Sequence, residues 1–300
     1  MNVVPGSKIT ACSSGGVALE ALARTLCEKE GRSLKWAASS FTFRNIGRGY
    51  FSDALICDCD SNGLLDLDAL SALATDAYDG FIVTNPLGTC SDFSTFIAFA
   101  KAHNKHMLID NASGIGRNIP AWPWQSFSLH HTKAYGIGEG GLALSPADTS
   151  ETLKSIINYG ALPHDARNWF TNGKLSDISA AFHLVRLQAL AEWEPRYLEQ
   201  RERLAELALR FDLQPLAPIK DLTVTNSLPL SFPQPVPRLL TDETSIPVGR
   251  YYEPIEPTAR ALDLFERLLS FPCHSGLAQV SDQEINQTLE FWLSHAGCAK

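Results

Sequence analysis

Nowhere in this sequence do apolar residues run on for the roughly 20 positions that a bilayer-spanning helix needs. Its start, MNVVPGSKIT, lacks the basic-then-apolar layout of an export signal. A cytoplasmic protein with no membrane partner is therefore expected. Basic residues never form a run: 25 Lys and Arg stand against 33 Asp and Glu, a net charge of -8. That balance argues against nucleic acid as a partner. Paired cysteine spacings are missing as well. The seven cysteines, at 12, 27, 57, 59, 90, 273 and 298, are odd in number and scattered, and read as reduced thiols. Cys57-Asp58-Cys59 has no second cluster near it, and a structural zinc site needs four ligands, so no metal is expected. There are no internal repeats and no low-complexity tracts.

What is present is an alternation of short patterns in an ordinary globular composition, 45% hydrophobic and 19% charged. LKWAASS and ALICDCD read as strands on either side of a loop. LLDLDALSALA reads as an amphipathic helix, GFIVTN and HMLIDNASG as strands buried on both faces, and FSTFIAFAKAHN as a helix between them. GLALSP and TSETLKSIINYGA continue as strand and helix. Such spacing predicts an α/β fold of three layers, a mostly parallel sheet with helices on both faces, and a ligand outside the C-terminal strand ends. From Ser176 to about Arg210, Ile178, Ala181, Phe182, Val185, Leu190, Trp193 and Tyr197 keep helical spacing. Pro195 is expected to kink that helix or break it in two. Beyond residue 212 the chain turns proline-rich, with short strand-like runs. The expected division is a large domain over 1–195 and a small C-terminal α+β domain over 196–300, beginning within or after the long helix.

Residues 126 to 141, SFSLHHTKAYGIGEGG, hold the densest chemistry. Lys133 is followed closely by Gly136, Gly138, Gly140 and Gly141. A lysine whose surroundings lower its pKa can form a Schiff base with a carbonyl, and glycines let backbone approach a flat ligand. A surface lysine in a flexible glycine loop is the plainer reading. Near the start, Ser13, Ser14, Gly15 and Gly16 precede a helical pattern with Val17, Ala18, Leu22 and Leu26 on its apolar side. Free N–H groups there make an anion site, although Ser-Ser-Gly is also an ordinary cap. Asp110 ends a buried strand, where it either caps the next turn or pairs with a protonated ring nitrogen of a cofactor.

Together these blocks resemble the DegT/StrS family of sugar aminotransferases, enzymes that use pyridoxal 5'-phosphate (PLP) and have the aspartate-aminotransferase fold. The family pattern SF-S-x-H-x-x-K followed by GEGG is met by Ser126-Phe127-Ser128, His130, Lys133 and Gly138-Glu139-Gly140-Gly141. The resemblance covers most of the chain. It implies the PLP fold type I large domain, with Lys133 as the catalytic lysine that carries PLP. It also implies phosphate contacts from Gly15, Gly16 and Ser128, and Asp110 on the pyridine nitrogen. Ser113, with Asn85 as a residue that shares the task, lies where the family contacts the phenolic oxygen. A ring from FTF stacks on the cofactor, Phe43 by preference, with Phe41 left open. His130 either orients the lysine or substrate or is simply packed or solvent-bridged. The family segment GxNYRMSD-x-QAA is met in outline by Asn172, Lys174, Leu175, Ser176, Asp177 and Ala180-Ala181. In the family that asparagine reaches the PLP phosphate of the neighbouring subunit, which implies a homodimer with shared active sites. The substrates implied are an amino-acid donor, often glutamate, and a nucleotide-linked keto-sugar acceptor.

Several positions depart from the family. Gly16 replaces a threonine, Ser113 a glutamine or histidine, Gly173 and Lys174 a Tyr-Arg pair, and Glu256 a histidine. Family members also carry several dozen residues ahead of the point where this sequence begins, so a shortened and divergent member is expected. Two other readings stay open: a PLP enzyme acting on a small amino acid as transaminase, lyase or racemase, and a non-catalytic partner subunit of an active homologue. Dehydratase relatives have histidine in place of the lysine, and Lys133 argues against that branch.

Overall fold

The computed structural model describes residues 4–116, 119–159, 171–218, 224–238 and 244–298. The first part alternates: β1 (Ser7–Cys12), α1 (Gly15–Glu30), β2 (Trp36–Ser39), β3 (Leu55–Cys57), α2 (Leu67–Ser71), β4 (Gly80–Thr84) and α3 (Ser94–Ala102). It continues with β5 (His106–Asp110), β6 (Gln125–Ser128), β7 (Gly141–Pro146) and α4 (Ser150–Ile156). Gly160 and Ala161 of the helix expected there lie outside the described residues. The seven strands form one sheet in the order β1-β7-β6-β5-β4-β2-β3. Only β7 runs against its neighbours, antiparallel to both β1 and β6. The fold is therefore the expected mostly parallel α/β sheet.

Alternation of side chains along each strand gives the sheet two apolar faces. Ala38, Ile82 and Leu108 pack with Leu19, Leu22 and Leu26 of α1. Ala37, Phe81, Val83, Met107 and Ile109 pack on the other face with Phe93, Phe96 and Ala100. Each large side chain so buried contributes about 1.5–3 kcal/mol. α1 begins where the Ser14 hydroxyl accepts the Val17 N–H at 3.1 Å, and it ends at Gly31 in the left-handed region, φ 65°. The helix expected over LLDLDALSALA is shorter, since Leu65 pairs with Cys59 in an isolated bridge and Asp66 caps α2.

The long helix expected from Ser176 is two helices, α5 (Asp177–Gln188) and α6 (Leu190–Leu209). The break falls at Ala189 and not at Pro195, which lies inside α6. Trp193 helps to set the break: its indole N–H donates to the Arg186 carbonyl at 2.9 Å, satisfying an acceptor that the end of α5 leaves free. Three more strands, β8 (Gln214–Pro215), β9 (Ser227–Ser231) and β10 (Leu268–Pro272), form an antiparallel sheet in the order β10-β9-β8. With α6 and α8 (Asp282–His295), this sheet encloses a second core around Leu204, Leu230, Phe232, Phe271, Leu289 and Trp292. The expected division at residue 195 falls inside α6.

A third apolar cluster seals the two sheets together, with Phe41, Cys59 and Leu87 against Tyr252, Ala261 and Phe265. Polar bonds cross the same seam. The Glu256 N–H donates to the Ser40 hydroxyl at 3.0 Å. Helix α7 (Ala259–Arg267) has no side-chain cap from its own Thr258. Asp58 supplies one from β3's loop, accepting the Thr258 hydroxyl at 2.7 Å and the Arg260 and Ala261 N–H groups at 3.1 Å each. Partial burial pushes the Asp58 pKa up, but these bonds and the Cys59 N–H outweigh it and leave the carboxyl below its ordinary value. A lowered folded-state pKa means that the stability it supplies is present above the ordinary carboxylate range. It is lost as pH falls through the lowered value. Asp58→Ala should cost about 1–2 kcal/mol at neutral pH, and markedly less in strong acid. Urea midpoints of both proteins across that range check this, and a loss independent of pH would contradict it.

Candidate active site

The site forms where β5 and β6 end and α1 begins. A Cβ on Gly15 would stand 2.9 Å from the Ser128 Cβ, and one on Gly141 would stand 2.2 Å from the Ser14 carbonyl oxygen. Only glycine lets the first turn of α1 press onto the end of β6 and the start of β7 this closely. A Cβ on Gly16, in contrast, meets nothing nearer than the Ser14 hydroxyl at 3.9 Å. The first amides of α1 have no carbonyl of their own helix to bond. Together with the buried Ser128 they make a concave cradle suited to a phosphate.

Lys133 stands in a loop folded back on itself. Its N–H donates to the His130 carbonyl at 2.8 Å, and its carbonyl accepts the Gly136 N–H at 2.9 Å. A Cβ on Gly136 would lie 1.9 Å from the His130 carbonyl oxygen, so that doubling-back requires glycine. Burial lowers the pKa of the Lys133 amine, against the pull of the Asp110 charge. Asp110, 4% exposed, has its pKa pushed up to about 6 by burial. Lys133, the Ser126 hydroxyl, the Ala112 N–H and Asn45 oppose that shift. The Ser126 hydroxyl donates to Asp110 at 3.4 Å. For each partner the loss of water outweighs the gain from the other. The result is a buried carboxylate beside an amine that gives up its proton more readily than a free lysine.

Residues 6–226 match the model of the DegT/DnrJ/EryC1/StrS aminotransferase family. The chain belongs to that family. Among solved structures it is similar to a DegT/DnrJ/EryC1/StrS aminotransferase from Brucella abortus, with TM-score 0.76 and 19% identity over 96% of this chain and 86% of that one. It is also similar to PseC from Helicobacter pylori, an aminotransferase of pseudoaminic acid biosynthesis, with TM-score 0.79 and 17% identity over 95% and 86%. The PLP form of the sugar aminotransferase Spr1654 from Streptococcus pneumoniae gives 0.78 and 17% over 96% and 86%. At these identities the likeness carries the fold, the PLP fold type I architecture. The family carries the enzyme class: the chain is a PLP-dependent aminotransferase.

The side chains fit that cofactor. Free amides at Gly15 and Gly16 with the Ser128 hydroxyl are donors of the kind a phosphate needs, Asp110 is a carboxylate of the kind a ring nitrogen needs, and Lys133 is an amine that an aldehyde could take. Phe43 is 57% exposed and has a ring face to offer, whereas Phe41 is fully buried in the seam, edge-on to Tyr252 at 5.5 Å. Ser113 is half-buried, with its backbone close against Gly88 of the turn after β4. Asn85 lies at the end of β4. It is buried, and its side chain bonds Asn111 at 2.8 Å and the Cys90 backbone at 2.8 and 2.9 Å, which makes it a brace for the turn. His130 is exposed, with its Nδ1 2.9 Å from the Thr132 hydroxyl and its ring 4.0 Å from that of His131.

Asn172 is exposed, on a segment that bridges Asn158 and runs beside the start of α1 in the same chain. The next residue fixes that course: the Gly173 carbonyl accepts the Ser13 N–H at 2.7 Å, and a Cβ there would stand 2.9 Å from Val17 Cγ1. With α1 so close, position 173 has no room for the tyrosine usual in the family. Glu256 docks through its backbone on Ser40. Two residues that touch Asp110 escaped the sequence reading, Ser126 and Asn45. Ser126 was open to inference, since it shares a strand face with Ser128. Asn45 comes from the loop after β2 and has no local signal.

The two glycines of the cradle should respond differently to a methyl group. Gly15→Ala must push α1 away from Ser128 and should weaken PLP binding about tenfold, a loss comparable with one hydrogen bond to a charged group. Gly16→Ala should bind PLP nearly as well as wild type. Fluorescence titration of the apoprotein with PLP measures both, and equal losses would refute the close approach as the cause.

Proposed function

We propose that the chain transfers the amino group of an amino acid, with glutamate as donor, to a keto sugar carried on a nucleotide, and that it works as a cytoplasmic homodimer. The observation that carries the reading is that Lys133 and Asp110 feel each other's charge, with Gly15 pressed close on Ser128 at the adjoining strand end. Bound PLP supplies an electron sink, and the protein supplies placement and proton control. Asp110 would hold the ring nitrogen, the α1 amides and Ser128 would hold the phosphate, and Phe43 would offer its ring face. With the cofactor bound, the Lys133 amine would be the group that takes and returns the proton moved in transamination. Burial lowers its pKa, which makes the proton easier to give up than that of a free lysine. The names of the similar structures favour the sugar acceptor, since PseC serves pseudoaminic acid biosynthesis and Spr1654 is a sugar aminotransferase.

The dimer has its own support. Ile178, Phe182 and Val185 lie one helical turn apart on α5 and are 74%, 62% and 64% exposed in the single chain. Leu184 and Leu187 broaden that apolar surface. A contiguous face of this kind marks an association site, and α5 follows directly from Asn172, the residue that reaches the neighbouring subunit in the family.

Absorption spectra test the chemistry. Wild type with PLP should show a visible band that Lys133→Ala lacks, and glutamate should bleach it. A wild type without the band would overturn the reading, and a band moved by another amino acid would replace glutamate as donor. For the assembly, Phe182→Asp should turn a dimer into a monomer in sedimentation velocity. A wild type that sediments as a monomer would remove the dimer.

A further inference from the structure

The loop that carries Lys133 is held at both ends by one helix. At its far end the Glu139 carboxylate accepts the Ser179 hydroxyl at 2.9 Å and the Ser176 hydroxyl at 3.4 Å. The Glu139 carbonyl accepts from the buried His183 Nε2 at 2.7 Å. At its near end the Arg186 guanidinium donates through Nε to the Ala134 carbonyl at 3.2 Å, and through Nη2 to the same oxygen. Ala134 directly follows Lys133. Residues 176, 179, 183 and 186 fall on one stripe of α5 and its cap, so a single face grips the whole loop.

Arg186 is itself held in place. Its guanidinium lies 4.1 Å over the Trp193 ring, and Nη2 donates to the Tyr197 hydroxyl at 3.3 Å. Trp193 returns a bond to the Arg186 carbonyl and stands edge-on to Tyr135 at 5.1 Å. The Tyr135 hydroxyl donates to Glu194 at 3.0 Å. The two residues that follow the lysine are thus both fixed from the α5–α6 corner. A planar fork that stacks on an aromatic ring and sends two N–H groups to one oxygen is a task for arginine rather than lysine.

We propose that Arg186 is a positioning residue for Lys133: by clamping the Ala134 carbonyl it fixes the direction in which the backbone leaves the lysine, and so aims the amine. The proposal rests on the reading of Lys133 as the PLP lysine. Arg186 touches neither cofactor nor substrate in this account and acts only through the loop.

Two variants of the full chain test this, Arg186→Ala and Arg186→Lys. In the PLP-free protein, a limiting dose of acetylating reagent followed by peptide mass spectrometry compares labelling of Lys133 with that of the exposed Lys154. Arg186→Ala should raise the Lys133-to-Lys154 ratio several-fold, because a freed loop lets the amine reach water, and Arg186→Lys should fall between. In the PLP-loaded enzyme, Arg186→Ala should lower kcat about 100-fold, the scale of an ångström's misplacement. The KM for glutamate should stay within about twofold, since donor binding is untouched. Wild-type labelling and wild-type kcat in Arg186→Ala would overturn the proposal, as would a KM effect with kcat unchanged. Should Arg186→Ala fail to fold, Arg186→Lys decides by the same two readings. A wild type with no Lys133-dependent PLP band would sink the function assigned to Lys133. The labelling ratio would still report whether Arg186 holds the loop.

Discussion

The site depends on holding a half-buried lysine amine within the electrostatic reach of a buried carboxylate. Removing either charge from water is expensive, and their mutual attraction makes up only part of the loss. The Lys133 amine is consequently lowered and the Asp110 carboxyl raised. The parallel sheet makes this affordable. It delivers Asp110 at the buried end of β5, where the neighbouring strand β6 contributes Ser126 as a donor. The Ser126 hydroxyl and the Ala112 amide offset part of that desolvation.

Around that pair, close backbone approach decides the shape. Gly15 against Ser128, Gly136 against the His130 carbonyl, and Gly173 against Val17 each mark a contact that a methyl group would close. These contacts bring the start of α1, the lysine loop and the Asn172 segment together. They also account for a departure from the family: with Val17 lying against residue 173, glycine is the residue the site can accept there. The seam between the two sheets matters for the same site, because Phe41 is held by Tyr252, which leaves Phe43 as the exposed ring of the FTF segment.

Some elements were legible and others were not, for identifiable reasons. The strands GFIVTN and HMLIDNASG were plain because burial on both faces demands an unbroken apolar run. The short β6 was not, since QSFS is a four-residue strand with little apolar content, of which SFS was read only as part of a motif. Pro195 looked like the helix breaker, yet the break lies at Ala189, where the Trp193 indole reaches back seven residues to cap the Arg186 carbonyl of the preceding helix. Asn85 looked like a site residue because it ends a strand. Its amide is fully engaged with Asn111 and Cys90, contacts that no local pattern predicts.

By itself the sequence determined the fold class, the cradle at Ser14–Gly16, the lysine block and the strand-end aspartate. These follow from periodicity and from residue types whose chemistry is local: alternation, glycine freedom, a lone lysine. What only the tertiary structure decided is which groups meet. Asn45 and Ser126 at Asp110, Arg186 at the carbonyl beside Lys133, and Asp58 at the start of α7 are separated by many residues along the chain. Their pairing is set by how helices and loops pack against the sheet. Hydrogen bonds and charge shifts act over a few ångströms of space, and the linear sequence does not record those distances.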